Sequence, residues 1–265
     1  METTAKRVQQ PSPVPSAAAA AHAPVQQTLE RYSRRHRRDA SPVSAEVMAA
    51  EQAAREQRER KANPYQLDWQ SQGTMLYLQS RAGAPVPLVN GDRVAAFDMD
   101  GTLIRTRSGR KFPTGRTDWL WLLPCIPDRL RKLHADGWKL VIFTNQNGIS
   151  TGNQPVADIK GKILDIIKDV GVPMSAFVAS ADDLYRKPAV NMWSFMTAQH
   201  NGGIPVNKDM SVYVGDAAGR PAAWDGDDKT KKDFSASDRK FAHNCGISFY
   251  TPEEYFLHEK PAKFS

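Results

Sequence analysis

Two carboxylates stand two residues apart, directly after a short apolar run. Asp98 and Asp100 follow Val94–Phe97, and Gly101 lets the backbone turn sharply after them. A carboxylate at the end of a buried strand can attack phosphorus and form an aspartyl-phosphate. A second acid beside it can protonate the leaving oxygen and later deprotonate a water. The spacing therefore predicts Asp98 as a nucleophile and Asp100 as its acid and base.

Phosphoryl transfer also needs hydrogen-bond donors and cations, because charge concentrates on the phosphoryl oxygens. Thr144 and Asn145 follow the apolar run Leu140–Phe143 and can donate a hydroxyl and an amide hydrogen to a phosphate. Lys187, preceded by Arg186, can neutralise the phosphate and hold the nucleophile. Each of these short motifs is common by itself in turns or on charged surfaces. Because they occur together with the paired carboxylates, we predict that these residues belong to a single phosphate-binding site.

A further acid, Asp216, follows the apolar run Val212–Val214. Carboxylate and carbonyl oxygens suit Mg²⁺, which keeps several waters and also binds substrate phosphate. We therefore predict Mg²⁺ as the cofactor, held by Asp98, Asp216 and the backbone carbonyl of Asp100. Two acids further along the chain are candidates for an outer shell, although ordinary surface acids are an equal interpretation. They are Asp233 and Asp238.

The apolar runs alternate with helical patterns. Four runs end in a polar residue, as expected for buried parallel strands, and Met75–Leu78 predicts a fifth strand. Apolar residues at helical spacing predict helices from Ile126, from Val156 to a stop at Gly171, and over 189–200. Strands alternating with helices predict an α/β fold with a doubly wound parallel sheet. In such sheets the ligand site lies at the carboxyl ends of the strands, where Asp98, Thr144 and Asp216 fall.

The first part of the chain has a different composition. Residues 1–66 are rich in Ala, Pro, Gln and Arg and hold few large apolar side chains, which predicts a disordered basic tail before a domain over 67–265. An exposed helix is expected over 43–62. The run Arg31–Arg38 indicates a nuclear import signal or a nucleic-acid contact, with a solvated charge run as the alternative. Gln26–Tyr32 faintly resembles a sliding-clamp interaction box.

Bulk properties exclude some classes of protein. The net charge is +7 and the pI is near 9.4, which favours anionic partners. Two cysteines do not indicate a disulfide framework, so we expect a reducing compartment. No apolar run reaches the roughly 18 residues that span a bilayer, and no membrane partner is expected.

The motifs together carry a family resemblance. Asp98-x-Asp100-Gly-Thr, Thr144, Lys187 and Asp216 resemble the four motifs of the haloacid dehalogenase superfamily, in order. More specifically, residues 74–265 are similar to the phosphatase domain of the polynucleotide kinase 3′-phosphatase family. The segments that carry this similarity are Thr106–Pro113, Leu140–Gln146, Gly215–Arg220, Lys232–Ser235 and Thr251–Phe256.

The resemblance implies a haloacid dehalogenase-like fold with a minimal cap, and a Mg²⁺-dependent enzyme that removes 3′-phosphates from DNA strand breaks during repair. It implies that Thr144, Asn145, Arg186, Lys187 and Arg220 bind the substrate, and that Thr144 and Lys187 also belong to the catalytic set. Because no G-x-x-x-x-G-K-[ST] segment is present, we expect a phosphatase-only form or part of a longer chain. We also expect a monomer, a nuclear location with a second pool in mitochondria, and repair-complex or sliding-clamp proteins as partners of the tail.

The contact with DNA is the least specific part of this interpretation. Two stretches depart from the usual basic pattern of the family: Ser150–Gln154 and the acidic segment with Asp225, Asp227 and Asp228. Six basic residues are candidates for DNA phosphate contacts, with plain surface charge as the alternative: Arg107, Arg110, Lys111, Lys160, Lys162 and Arg220. Two rival functions stay open, namely a phosphatase of a small phosphate ester and a non-catalytic scaffold that binds nucleic acid.

Overall fold

The computed structural model describes residues 42–264, with side chains from residue 47 onward. The basic run Arg31–Arg38 and the clamp-like segment Gln26–Tyr32 lie outside the described residues. The chain divides after Gln57 into two units. The first, where described, consists of residues 42–57 of helix α1 (Pro42–Ala62), whose described side chains are exposed. The expected helix is confirmed, and the domain boundary at residue 67 stays a prediction.

The second unit contains a seven-stranded sheet. Its strands along the chain are β1 (Leu67–Gln72), β2 (Met75–Ser80), β3 (Val94–Phe97), β6 (Lys139–Asn145), β7 (Ser175–Ala179), β8 (Val212–Val214) and β9 (Ser248–Tyr250). Their order across the sheet is β1-β2-β7-β6-β3-β8-β9. The five strands from β7 to β9 are parallel, and β1 and β2 extend the sheet as an antiparallel edge. A separate two-stranded ribbon pairs β4 (Ile104–Arg105) with β5 (Leu120–Trp121).

Helices cover both faces of this sheet, as the doubly wound prediction requires. They are α2 (Ile126–Ala135), α3 (Val156–Val170), α4 (Asn191–Gln199), α5 (Ser237–Cys245) and α6 (Pro252–Leu257), with a 3₁₀ turn at Lys208–Met210. The α/β fold predicted from the alternation of strands and helices is therefore confirmed.

Alternate residues of the central strand β3 point to opposite faces, so the sheet has two apolar layers. Ala95 and Phe97 pack in the layer that contains α2 and α3, whereas Val94 and Ala96 pack in the layer that contains α4 and α5. All four side chains are fully buried. Burial on both faces explains why the strands read as continuous apolar runs rather than as alternating patterns.

The parallel strands bring their carboxyl ends to one edge of the sheet. Asp98 follows β3, Thr144 and Asn145 end β6, and Asp216 follows β8 after one residue. Since β3 lies between β6 and β8, these side chains come from three adjacent strands. This edge is the place where a doubly wound sheet binds its ligand.

Candidate active site

The turn after β3 fixes Asp98. The Asp98 backbone N–H donates to the Val214 carbonyl at 2.9 Å, which joins the turn to β8. The N–H groups of Leu103 and Ile104 both donate to the Met99 carbonyl at 3.0 Å, and Met99 is fully buried. These hydrogen bonds fix the backbone at Asp98 and at the residue that follows it.

A buried lysine binds the Asp98 carboxylate. The Lys187 Nζ donates to Asp98 Oδ1 at 2.7 Å, to Asp238 Oδ1 at 2.7 Å and to the Tyr213 hydroxyl at 2.8 Å. Lys187 is only 3% exposed. Its backbone is held by Asn145, which accepts from the Lys187 N–H at 2.9 Å and donates to the Lys187 carbonyl at 3.2 Å. The predicted contact between Lys187 and the nucleophile is present, and Asn145 positions that lysine.

The charges in this network shift the titration of its members. Burial, supported by the charge of Asp238, raises the pKa of Asp98 to about 7 although Lys187 opposes the shift. Burial also raises the pKa of Asp216 well above its ordinary value, and the charges of Asp98 and Asp238 add to this effect. Burial alone would lower the pKa of Lys187, but the carboxylates of Asp238 and Asp98 outweigh it and raise that pKa. The site therefore carries more negative charge than one lysine balances.

This excess charge fits a divalent cation. Asp98, Asp216 and Asp238 each offer a carboxylate oxygen, and these atoms lie within 4.8 Å of one another. Two glycines leave room for the carboxylates. A Cβ at Gly101, whose φ is +81°, would lie 2.5 Å from an Asp216 oxygen, and a Cβ at Gly215 would lie 2.5 Å from an Asp238 oxygen. A cluster of hard oxygen donors at a phosphate-binding edge suits Mg²⁺.

Asp238 has a structural partner for each oxygen. Its Oδ1 accepts from Lys187 and from the Tyr213 hydroxyl, and its Oδ2 accepts from the Ala217 N–H at 3.1 Å. Asp98 and Asp216 could hold an ion, as the sequence predicts, whereas Asp238 binds Lys187. The ligand role predicted for the Asp100 carbonyl stays a prediction.

Asp100, two residues after Asp98, has a partner that the sequence analysis missed. The Gln146 side-chain amide donates to Asp100 Oδ2 at 2.7 Å and to Thr144 Oγ1 at 2.9 Å. Gln146 and Thr144 are both buried. This amide links the predicted acid and base to the predicted phosphate ligand of β6. Its position directly after Asn145 was the only sequence signal that could have found it.

The two predicted arginines differ in their surroundings. Arg220 is 5% exposed, and its guanidinium pairs with Asp233 at 3.0 Å and Glu253 at 2.9 Å. It also lies over the Trp224 ring at 3.8 Å. Arg186 pairs with Asp182 at 3.2 Å and is partly exposed. Substrate contact by either arginine stays a prediction.

Asp233 and Asp238, which the sequence left as equal candidates, have different environments. Asp238 joins the carboxylate cluster through Lys187, while Asp233 accepts from the backbone N–H groups of Ala218 and Arg220 as well as from the Arg220 side chain. Asp233 thus holds the loop that follows Asp216. The distinction depends on where the chain passes after β8, which no local pattern reports.

A doubly wound sheet with an aspartate pair, a buried lysine and a second acidic loop at its carboxyl edge is the arrangement that the haloacid dehalogenase resemblance of the sequence predicts. The chain belongs to the polynucleotide kinase 3 phosphatase family, whose model matches residues 93–256.

Named relatives share this part of the chain. Polynucleotide 3′-phosphatase ZDP of Arabidopsis thaliana is 38% identical over 203 residues, which are 71% of this chain and 27% of that protein. The bifunctional polynucleotide phosphatase/kinase of Schizosaccharomyces pombe is 40% identical over 162 residues, 61% of this chain and 37% of that protein. An uncharacterised 20.8 kDa protein of Autographa californica nuclear polyhedrosis virus is 44% identical over 62% of this chain and 85% of its own length. The chain thus spans about a quarter to two fifths of the two relatives with a named activity.

Proposed function

We propose that this protein is a Mg²⁺-dependent phosphatase that removes 3′-phosphates from DNA ends during repair. The observation that carries the proposal is the buried contact of Lys187 with Asp98, beside Asp100 and Asp216 at one edge of the sheet. Membership of the polynucleotide kinase 3 phosphatase family supports the substrate. Two of its relatives carry names that specify a polynucleotide phosphatase.

In the first step, an Asp98 oxygen attacks the phosphorus of the terminal phosphate, and the bond from phosphorus to the 3′-oxygen breaks. Lys187 donates to Asp98 Oδ1, and we assign the attack to Oδ2. Asp100 gives its proton to the departing 3′-oxygen. Because Gln146 donates to Asp100 Oδ2, we assign the proton delivery to Oδ1, which this amide does not contact. The products of this step are a DNA 3′-hydroxyl and a phosphoryl group on Asp98.

In the second step, Asp100 takes a proton from a water, whose oxygen attacks the phosphorus. The bond between the phosphorus and Asp98 breaks, inorganic phosphate leaves, and the carboxylate is restored. Thr144, which accepts from Gln146, and the Lys187 ammonium, which donates to Asp98, are the groups that we assign to stabilise the phosphoryl oxygens in both steps. The same acid serves both steps in opposite directions.

Asp98 and Asp216 would hold the Mg²⁺ ion, with the Asp100 carbonyl as a further ligand. When bound, the ion neutralises part of the charge on the phosphate and on the carboxylate cluster. The excess of acids over bases in the cluster supports this assignment.

An exposed loop carries the basic residues that we expect to face DNA. Arg107, Arg110 and Lys111 are exposed between β4 and β5, on the chain segment that follows the catalytic turn. Asp118 organises this loop, because its carboxylate accepts from the backbone and the hydroxyl of Ser108 and Thr114 at 2.7–3.1 Å. A rigid basic loop near the site favours an anionic polymer over a small ester.

The test compares two kinds of substrate. A duplex with a 3′-phosphorylated nick and a set of small sugar phosphates are offered to the protein with Mg²⁺, and kcat/KM is measured for each. We expect the nicked duplex to exceed the sugar phosphates by at least about 100-fold, since only the polymer contacts the basic loop. Faster turnover of a sugar phosphate would contradict the DNA assignment, and no turnover of any ester would contradict the enzyme assignment.

We also propose a nuclear location and tail-mediated binding of repair or sliding-clamp proteins. Both rest on the sequence of Arg31–Arg38 and Gln26–Tyr32, which lie outside the described residues. Replacing the arginines of the first segment by alanine and imaging a fluorescent fusion tests the location. Unchanged nuclear accumulation would rule out this segment as the import signal.

None of the described helices is apolar over enough of its length to cross a bilayer.

A further inference from the structure

Three lysines are buried in the described part of the chain, and one of them lacks a partner. Lys187 has the three partners described above, and Lys139 donates to the carbonyls of Val89 and His200 and, at 3.4 Å, to Asn90 Oδ1. Lys162 on α3 is 1% exposed, yet within residues 42–264 no hydrogen bond, ion pair or aromatic ring reaches its ammonium. Lys162 Nζ is not among the described atoms that are buried without a partner, so its ammonium keeps contact with solvent through a narrow opening. An ammonium hydrated on one side only favours an anionic partner there.

Lys162 lines a cavity of about 50 Å³. Its rim contains the exposed residues Thr114 and Asn153, and Gln154 and Ile159 line it as well. A single water occupies roughly 10–15 Å³ on this measure, so the cavity has room for several waters or one oxyanion the size of phosphate. The ammonium of a nearly buried side chain and polar residues at the rim make it a concave site for an anion.

The amino-terminal end of α3 adds to the positive potential. Its N-cap, Pro155, lines the cavity, and no side chain caps this 15-residue helix. Backbone N–H groups at such an end attract anions. One acid, Asp158, also lines the cavity one turn before Lys162, and no ion pair joins the two. The Asp158 carboxylate therefore repels an anion in the cavity. Removing its charge should strengthen anion binding, whereas removing the charge of Lys162 should weaken it.

The cavity lies between two loops that leave the catalytic edge. One loop follows β4, which comes directly after the turn with Asp98 and Asp100, and includes Thr114. The other follows Gln146, whose amide binds Asp100, and includes Asn153. A polymer whose 3′ end reaches Asp98 would pass these loops with its preceding phosphates.

We infer that the Lys162 cavity binds a backbone phosphodiester of the DNA strand whose 3′-phosphate is removed. The inference rests on the proposed function and extends it. The cavity would take a second phosphate oxyanion, besides the one at Asp98, and a mononucleotide carries only one. The bond is a charge-assisted contact with the ammonium and involves no covalent step. Free inorganic phosphate is the other source of the same chemistry, and the experiment separates the two.

The main experiment compares a 3′-phosphorylated single-stranded oligonucleotide with thymidine 3′-monophosphate. We expect Lys162→Met to lower the ratio of their kcat/KM values about tenfold, through KM of the oligonucleotide. The slope of log KM against log salt should also decrease by about 0.7. Lys168→Met is the matched control, because Lys168 is an exposed lysine on the same helix. An unchanged ratio and salt slope in Lys162→Met would overturn the inference.

Two further variants separate binding from a structural role. Asp158→Asn should raise oligonucleotide affinity severalfold, since it removes the carboxylate that opposes the phosphate. Lys162→Met should melt at the same temperature as the wild type or higher, because the ammonium has no partner among the described residues and its apolar stem is replaced by a side chain of similar length. The inference would be overturned if Asp158→Asn bound the oligonucleotide more weakly and Lys162→Met melted at a lower temperature than the wild type. Those results would show that Asp158 and Lys162 form a structural pair.

Two further experiments identify the anion that the cavity binds and separate binding from turnover. In the first, inorganic phosphate is titrated as an inhibitor of thymidine 3′-monophosphate turnover. Non-competitive inhibition that Lys162→Met abolishes would assign the cavity to free phosphate instead of the DNA backbone. Fluorescence anisotropy with a 3′-hydroxyl oligonucleotide measures the site without turnover. If the wild type hydrolyses neither substrate, the proposed function fails, while a tenfold loss of anisotropy binding in Lys162→Met would still support the cavity.

Discussion

At the residue scale, one ammonium organises the site. Lys187 binds the carboxylates of Asp98 and Asp238 in a buried region, and those carboxylates raise its pKa although burial opposes them. Burial raises the pKa of Asp98 to about 7, so its ionised form depends on the cations around it. The site would therefore favour the neutral form of Asp98 if Lys187 were absent.

Asp98→Asn should abolish turnover and should not unfold the protein. We expect kcat to fall by at least about 1,000-fold, because an amide cannot form the covalent intermediate. The variant should melt at an equal or higher temperature, since it removes one of three crowded acids. Turnover of a 3′-phosphorylated oligonucleotide and circular dichroism melting measure the two effects. Near-normal turnover by the folded variant would rule out Asp98 as the nucleophile.

Mg²⁺ should stabilise the protein in a pH-dependent way. The raised pKa of Asp98 means that the folded protein binds more protons than the unfolded chain between about pH 4 and 7, so metal-free stability from this group falls as the pH rises through that window. Mg²⁺ should therefore raise the melting temperature more at pH 7.5 than at pH 5.5, where protons compete.

Asp216→Asn should remove most of this Mg²⁺ effect on melting. The control is Asp209→Asn, an exposed acid for which we expect a wild-type response. Chelation should stop turnover in the wild type, and added Mg²⁺ should restore it. A full Mg²⁺ response in Asp216→Asn, or full turnover in a chelator, would contradict the assigned ion site.

At the element scale, the turns after β3 and β8 have to approach each other closely. Gly101 has φ +81° and lies under Asp216, and Gly215 lies against Asp238. These two glycines let the carboxylates of Asp216, from the turn after β8, and Asp238, from helix α5, converge on Asp98. The strands determine which loops meet, and the glycines determine how near their carboxylates come.

Gly101→Ala should disable the site by two separate effects. A Cβ there would lie 2.5 Å from an Asp216 oxygen and would also impose backbone strain of about 1–2 kcal/mol. Gly171→Ala is the matched control, because Gly171 has φ +82° with nothing within 4 Å of the added Cβ. We expect similar losses in the free energy of unfolding from strain, and a loss of Mg²⁺ response and turnover in Gly101→Ala alone. Equal turnover in both variants would refute the close approach as a functional requirement.

At the scale of the whole molecule, the candidate active site lies in the second unit, which begins at Arg58. The sheet, both apolar layers and the carboxylate cluster lie there. The described contact that helix α1 makes through Glu59 is an exposed ion pair with Arg81 at 3.0 Å. Exposed pairs of this kind contribute at most about 1 kcal/mol.

Deletion of residues 1–62 should therefore leave kcat on a short oligonucleotide within about twofold of the full chain. The melting temperature should change by only a few degrees, because the deletion removes one exposed ion pair from the described contacts. Binding to long DNA should weaken and become less salt-dependent, since the deleted segment includes Arg31–Arg38. Loss of folding would show instead that the core of the domain needs this segment.

Most of the strands and helices could be predicted from the sequence. Continuous apolar runs predicted β2, β3, β6, β7 and β8, because strands that are buried on both faces are apolar throughout. Apolar residues at helical spacing predicted α2, α3 and α4, because each of these helices buries one face. Strands β1 and β9 and the β4–β5 ribbon were missed, since they are short or partly exposed. Helices α5 and α6 are also short, and α5 mixes buried Phe241 with polar neighbours.

The sequence by itself determined the residues of the chemistry: an aspartate pair after a buried strand, a lysine, a threonine and a second acid. Residue type and strand endings are local properties, so the chain records them directly. Only the tertiary structure decided which side chains meet. It placed Asp238 rather than Asp233 on Lys187, assigned Asn145 to the lysine backbone, brought Gln146 to Asp100 and left Lys162 unpaired beneath a cavity. Those partners come from elements far apart in the chain, and their meeting depends on strand order and loop packing, which no local pattern records.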